Sequence, residues 1–168
     1  MPETPSPTVV EFPKNPPKGA PSHERIWGKP VLSHGYTALP SILIRAQSRL
    51  GISPLQFNIL AQLLDYWRDP TRAPFPSKAV LAERIGCKPK TIQTNIRALE
   101  KAGLVAREMR KTAAGDWDSN IYHLTGLVGR VQKLEPEFAE ARRKRREAQE
   151  ANKQVETPVH RRNAKAQK

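Results

Sequence analysis

The stretch Ser77-Lys78-Ala79-Val80-Leu81-Ala82-Glu83-Arg84-Ile85-Gly86-Cys87-Lys88-Pro89-Lys90-Thr91-Ile92-Gln93-Thr94-Asn95-Ile96-Arg97-Ala98-Leu99-Glu100-Lys101-Ala102-Gly103 decides how the chain is read. Ser77 caps a helix whose buried side is Val80, Leu81 and Ile85, and Gly86 stops it. Pro89 then opens a second helix reaching Ala102, and Gly103 ends that one. Proline suits this position because the first helical N–H has no intrahelical partner to lose. At about 100° per residue, Ile92, Ile96 and Leu99 share one face of the second helix, with Asn95 at its margin. Lys90, Gln93, Thr94, Arg97 and Lys101 share the other, and Glu100 is the helix's only acid. Two such helices joined by Gly86-Cys87-Lys88 fit a helix-turn-helix.

Upstream, Ser53-Pro54-Leu55-Gln56 has the form of a capping box with proline at the first helical position. The helix it opens runs to Trp67 and is apolar nearly all round, through Leu55, Phe57, Ile59, Leu60, Leu63, Leu64 and Tyr66. A helix of that kind has to be covered on several sides, which makes it the central core element. Before it, Ser41 to Leu50 reads as a helix ending at Gly51, and Tyr36-Thr37-Ala38-Leu39 as a short strand stopped by Pro40. The loop from Arg68 to Pro76 holds Pro70, Pro74 and Pro76 and cannot be helical. Downstream, Val105 to Lys111 and Asn120 to Leu124 read as two strands around residues 112–118, a hairpin that would form a wing.

Phe75-Pro76-Ser77, Leu81-Ala82, Ile85-Gly86, Thr91-Ile92, Leu99-Glu100-Lys101-Ala102-Gly103-Leu104 and Ser119-Asn120-Ile121-Tyr122-His123-Leu124 occur in that order. Together they resemble the winged helix-turn-helix domains of plasmid and phage replication proteins and small bacterial regulators, over roughly residues 36–125. One departure is Lys88, where such domains usually place a serine cap; losing that cap costs about 1 kcal/mol. The fold class expected is therefore mainly α with a small β-hairpin wing, flanked by a disordered N-terminal arm and a basic C-terminal helix and tail.

The acid-free face of the second helix suits a DNA major groove, where arginine or lysine pairs with guanine and glutamine with adenine. Lys90, Gln93, Thr94 and Arg97 are the expected base contacts. Lys78, Lys88 and Thr91 stand at helix starts, where unpaired backbone N–H groups favour phosphate. With Lys101 and the wing residues Arg107, Arg110 and Lys111, they are the expected backbone contacts. Strand alternation puts Arg107 and Lys111 on one face, assigned to DNA, and Arg110 on the other. That register needs a bulge that buries Met109. Trp117, at the wing tip, is expected to fold back over its own hairpin.

The chain has 168 residues, with 29 Lys+Arg against 16 Asp+Glu and a formal net charge of +13. By segment the charge is +1 over residues 1–32, +6 over 33–129 and +6 over 130–168. A surplus spread over body and tail points to a polyanion, most commonly nucleic acid. Eight of the 16 prolines fall in the first 30 residues, so 1–32 reads as a Pro-rich arm with neither helix nor sheet core. Residues 33–129 then form the DNA-binding domain and 130–168 a basic charged helix and tail. In that tail Val131, Leu134, Phe138 and Ala141 line up at helical spacing and would dock on the body or on a second subunit. Arg142 to Arg146 would follow as a frayed helix fading into coil.

Cys87 is the single cysteine, which excludes an internal disulfide and a cysteine-based zinc site, and its place in the turn suits packing. The four histidines are scattered and no Gly-rich phosphate loop is present, so no enzyme activity, metal or cofactor is expected. No apolar run approaches the ~20 residues of a membrane span, and residues 1–10 carry no secretory signal pattern. The expectation is a cytoplasmic, nucleoid-associated protein that binds double-stranded DNA sequence-specifically as a bacterial transcriptional regulator. Alternatives are replication initiation at the origin of a plasmid, phage or mobile element, and low-specificity DNA packing. A homodimer could use the Leu55–Trp67 helix or the Val131–Ala141 stripe, and no small-molecule effector is legible.

Overall fold

The computed structural model describes residues 21–110 and 119–163, with side chains described as far as Lys153. The chain divides into two compact units, with the break between Tyr36 and Thr37.

The described part of the first unit holds two short helices, α1 (Ser22–Trp27) and α2 (Lys29–Leu32), neither with a buried residue. Helix in this segment contradicts the expectation of an arm without any. The prolines stand where helices accept them: Pro21 occupies the N-cap of α1, and Pro30 lies in the first turn of α2. Gly28, at φ +79°, separates the two. His23 stacks on Tyr36 at 5.4 Å between ring centroids.

The second unit begins with Thr37 to Leu39 in irregular backbone rather than the expected strand. Among the described residues no strand pairs with it, and the Thr37 hydroxyl instead donates to Asp65 Oδ1 at 2.5 Å. That bond, with Arg84 at 3.1 Å, holds the Asp65 carboxyl below its ordinary value against a smaller opposing effect of burial. The expected 41–50 helix is two pieces, α3 (Ser41–Arg45) and α4 (Gln47–Leu50), broken where Ala46 leaves helical geometry at φ −101°, ψ 12°. Ala46 is fully buried, so the break lies against the core and carries no exposed polar side chain.

Helix α5 (Pro54–Tyr66) starts with the predicted capping box, Ser53 and Gln56 each bonding the other's backbone N–H. It buries Ile59, Leu60 and Leu63 completely, and α6 (Lys78–Ile85) and α7 (Pro89–Lys101) pack against it. Ser77 caps α6 through the Val80 N–H, and Gly86 closes it in the left-handed conformation at φ +76°. Cys87 packs against the core, as its place in the turn suggested. Strands β1 (Ala106–Glu108) and β2 (Ile121–His123) pair antiparallel, with Ala106 opposite His123, Arg107 opposite Tyr122 and Glu108 opposite Ile121.

Helix α8 (Thr125–Asn163) runs unbroken across the 129/130 boundary and through the basic run expected to fray. Its first half is anchored by Leu127, which is buried, and by Val131, Leu134 and Phe138, which pack on the same core. Ala141 is exposed, so the docked stripe ends one turn earlier than expected. The surfaces offered for a homodimer are thus largely covered by the chain itself. Beyond the body the helix is held by i,i+4 ion pairs, Lys144–Glu140 at 2.7 Å, Arg143–Glu147 at 3.7 Å and Arg146–Glu150 at 3.1 Å. Each pair contributes only ~0.3–0.5 kcal/mol, but together they favour helix where no packing does. Among the described residues no helix is long and apolar enough to cross a membrane.

The start of α8 is pinned to the end of α7. The Leu127 N–H donates to the Leu104 carbonyl at 3.0 Å, and a Cβ at Gly126 would collide with the carbonyl oxygen of Gly103. Gly126→Ala therefore has to push α8 away and should cost about 1–3 kcal/mol in urea denaturation. Gly129→Ala is the control. A Cβ there meets nothing, so the same substitution should gain about 0.5–1 kcal/mol from helix propensity. Equal effects at both positions would contradict the close approach.

Candidate nucleic-acid interface

Helix α7 is positioned by its inner side. Ile92, Ile96 and Leu99 are at most 1 % exposed, so rotation about the helix axis would expose apolar surface. The outer side is fixed by the same burial. Lys90, Thr94, Arg97 and Lys101 are exposed there and Gln93 is half-buried, as the periodicity predicts. Two polar side chains are turned back onto the helix: Asn95 Nδ2 donates to the Thr91 carbonyl at 2.9 Å, and Thr94 Oγ1 donates to the Lys90 carbonyl at 3.0 Å. The Thr94 hydroxyl is consequently left as an outward-facing acceptor. Lys88 stands at the N-cap with no side-chain cap bond, as expected from the missing serine. Lys78 is half-buried at the start of α6, and Thr91 is half-buried at the start of α7.

Glu100 does not weaken the cationic face. It turns toward the hairpin and accepts from Arg107 Nε at 3.1 Å, both side chains being 25 % exposed. Arg107 lies directly opposite Tyr122, which is fully buried, and residues opposite each other across an antiparallel pair share a face. Arg107 is therefore on the inner side of the wing, not on the outward face assigned to it. The outer face of β1 and β2 carries Glu108 and His123, in contact at 3.0 Å. Met109 is 64 % exposed, so the bulge that was to bury it does not form. Parity ends where β1 ends: Arg110, beyond the strand, lies over the Phe75 ring at 5.2 Å. Lys111 and Trp117 fall outside the described residues.

Phe75, part of the Phe75-Pro76-Ser77 motif, has a contact that the sequence does not announce: Arg72 lies over its ring at 5.4 Å and Arg110 at 5.2 Å. This contact ties the α5–α6 loop to the hairpin. Spacing carries no signal for it because Arg72 and Arg110 lie in irregular segments. Beside Phe75 opens a groove of about 840 Å³ between the starts of α6 and α7 and the hairpin, lined by Ser77, Lys78, Pro89, Arg107, Arg110 and Asn120. Its described charged side chains are Lys78, Arg107 and Arg110, of which Arg107 is paired with Glu100. Burial pushes the Tyr122 phenol above its ordinary 10.0, so this residue is a neutral packing element under the hairpin.

The Glu100–Arg107 pair joins α7 to the wing. A double-mutant cycle with Glu100→Gln and Arg107→Gln should give a coupling of about 0.5–1 kcal/mol in thermal or urea unfolding. Additive effects would show that the two side chains act independently.

Residues 50–105 match the family model of a helix-turn-helix domain. No curated protein matches the chain. Among solved structures, the chain is similar to the N-terminal domain of DnaD protein from Geobacillus kaustophilus, at 20 % identity and a TM-score of 0.49. That match covers 73 % of this chain and 97 % of the other. It is also similar to MepR from S. aureus, in a structure of the MepR–DNA complex, at 18 % identity and a TM-score of 0.41. There the match covers 76 % of this chain and 90 % of the other. The chain contains a helix-turn-helix domain over residues 50–105, and the β1–β2 hairpin and α8 complete it as a winged helix.

Proposed function

We propose that this protein binds double-stranded DNA sequence-specifically, with α7 in the major groove, and acts as a bacterial transcriptional regulator. The observation that carries the reading is the outer face of α7. Lys90, Gln93, Thr94, Arg97 and Lys101 stand together there without an acid, on a helix whose inner side is sealed into the core. The match of residues 50–105 to a helix-turn-helix domain supports the same reading. Lys90, Gln93, Thr94 and Arg97 meet base edges; Lys78, Lys88, Thr91 and Lys101 meet phosphates at the groove's margins. Of the wing cations, Arg110 lines the groove beside the starts of α6 and α7, and Arg107 is paired with Glu100. The protein is a DNA-binding protein and not an enzyme in this reading, and it works in the cytoplasm at the nucleoid.

Selection of bound sites from random DNA tests the proposal. A single preferred motif is expected, and Arg97→Ala and Gln93→Ala should each weaken binding to it by about 1–3 kcal/mol and relax one base position. Wild-type affinity and an unchanged motif in both variants would remove base reading from α7. A single footprint over a promoter supports regulation; direct repeats beside an AT-rich stretch would assign the same contacts to origin binding.

A further inference from the structure

Helix α8 changes character where it leaves the body. Leu127 and Arg145 are 18 positions apart in the numbering. That is five turns at about 3.6 residues per turn, so Arg145 stands in line with Leu127. Leu127, Val131, Leu134, Phe138, Arg142 and Arg145 all fall within an arc of about 80°. The first four pack on the core. The same stripe then becomes cationic, with Arg142 roughly 6 Å and Arg145 roughly 10 Å beyond Phe138 along the axis.

From Phe138 to Glu150 the charges are sorted by face. Glu140, Glu147 and Glu150 centre roughly 170° round the helix from the stripe, and each holds a cation there: Lys144, Arg143 and Arg146. That back face neutralises itself. Arg142 and Arg145 are exposed and have no acid within their arc between Phe138 and Glu150, and no ion pair holds either among the described residues. A helix stabilised only by ion pairs would be served equally well by alternating signs all round. Leaving two guanidinium groups unpaired on one line costs self-repulsion that an external anion relieves.

We propose that the Arg142/Arg145 face of α8 binds the phosphate backbone of DNA, as an arm that adds affinity without reading sequence. The proposal rests on the DNA-binding reading of α7 and assigns a second, separate contact to the same partner. Guanidinium groups about one turn apart suit successive backbone phosphates, and a backbone carries no sequence information directly.

The test is the salt dependence of binding by the full-length chain to its selected duplex and to an unrelated duplex. Each phosphate contact contributes about 0.9 to the slope of log K against log salt, so Arg142→Ala with Arg145→Ala should lower the slope by about 1.8 on both duplexes. Between 50 and 200 mM salt, the wild type then loses roughly twelvefold more affinity than the variant. The control, Arg143→Ala with Lys144→Ala, removes the same net charge from the back face and should change the slope by less than half as much. Alanine keeps the helix in both, which circular dichroism checks. An unchanged slope for Arg142→Ala with Arg145→Ala, or equal changes for the two variants, overturns the proposal. Arg97→Ala in the same assay separates the two readings. A relaxed motif with inert arm variants removes the arm alone; an unchanged motif with the expected arm slopes removes base reading by α7 and leaves the arm.

Discussion

Burial of Ile92, Ile96 and Leu99 against α5 and α6 is the constraint on which the remainder of the second unit depends. Removing three such side chains from water contributes about 1.5–3 kcal/mol each before ordering costs. A rotation of α7 by one residue, about 100°, would forfeit most of that and carry Arg97 toward the core. The orientation of the polar side is therefore a by-product of hydrophobic packing. The site is preorganised because the core leaves α7 a single low-energy setting.

From this anchor the other parts follow in chain order. Glu100 lies at the edge of the buried face, where it meets Arg107 and sets the first strand of the wing. Leu104 and Gly103 receive the start of α8, whose apolar stripe closes the core beside α3. Phe75, between Arg72 and Arg110, joins the proline-rich loop to the hairpin across the opening of the groove. A displacement of α7 would thus be felt at the wing and at α8 together, because Glu100 and the Gly103–Leu104 turn are neighbours in the chain.

The amphipathic and capped elements were legible in the sequence. Ser53 with Gln56, Ser77, Gly86, Pro89 and Gly103 are local signals whose physics acts within one turn, and they placed α5, α6 and α7 to within a residue or two. The faces of α7 followed from its period alone. What failed depended on partners distant in sequence. Tyr36 to Leu39 has strand composition but no strand to pair with, and Thr37 is taken by Asp65, 28 residues away. Arg107 was assigned outward by alternation, a rule that fixes which residues share a face but not which face turns inward; Tyr122 and Glu100 decide that. The unbroken α8 was hidden because Arg142 to Arg146 offers no apolar face, whereas i,i+4 ion pairs carry the helix through that run from the part anchored by Val131, Leu134 and Phe138.

Methylation interference on the selected duplex tests the central claim, that α7 reads bases from the major groove, most directly. Methylating guanine N7 blocks a major-groove acceptor, whereas methylating adenine N3 blocks a minor-groove one. The account predicts strong interference at one or more guanine N7 positions, with the signal at a single guanine disappearing in Arg97→Ala. Interference confined to adenine N3, or an N7 pattern identical in wild type and Arg97→Ala, would contradict it.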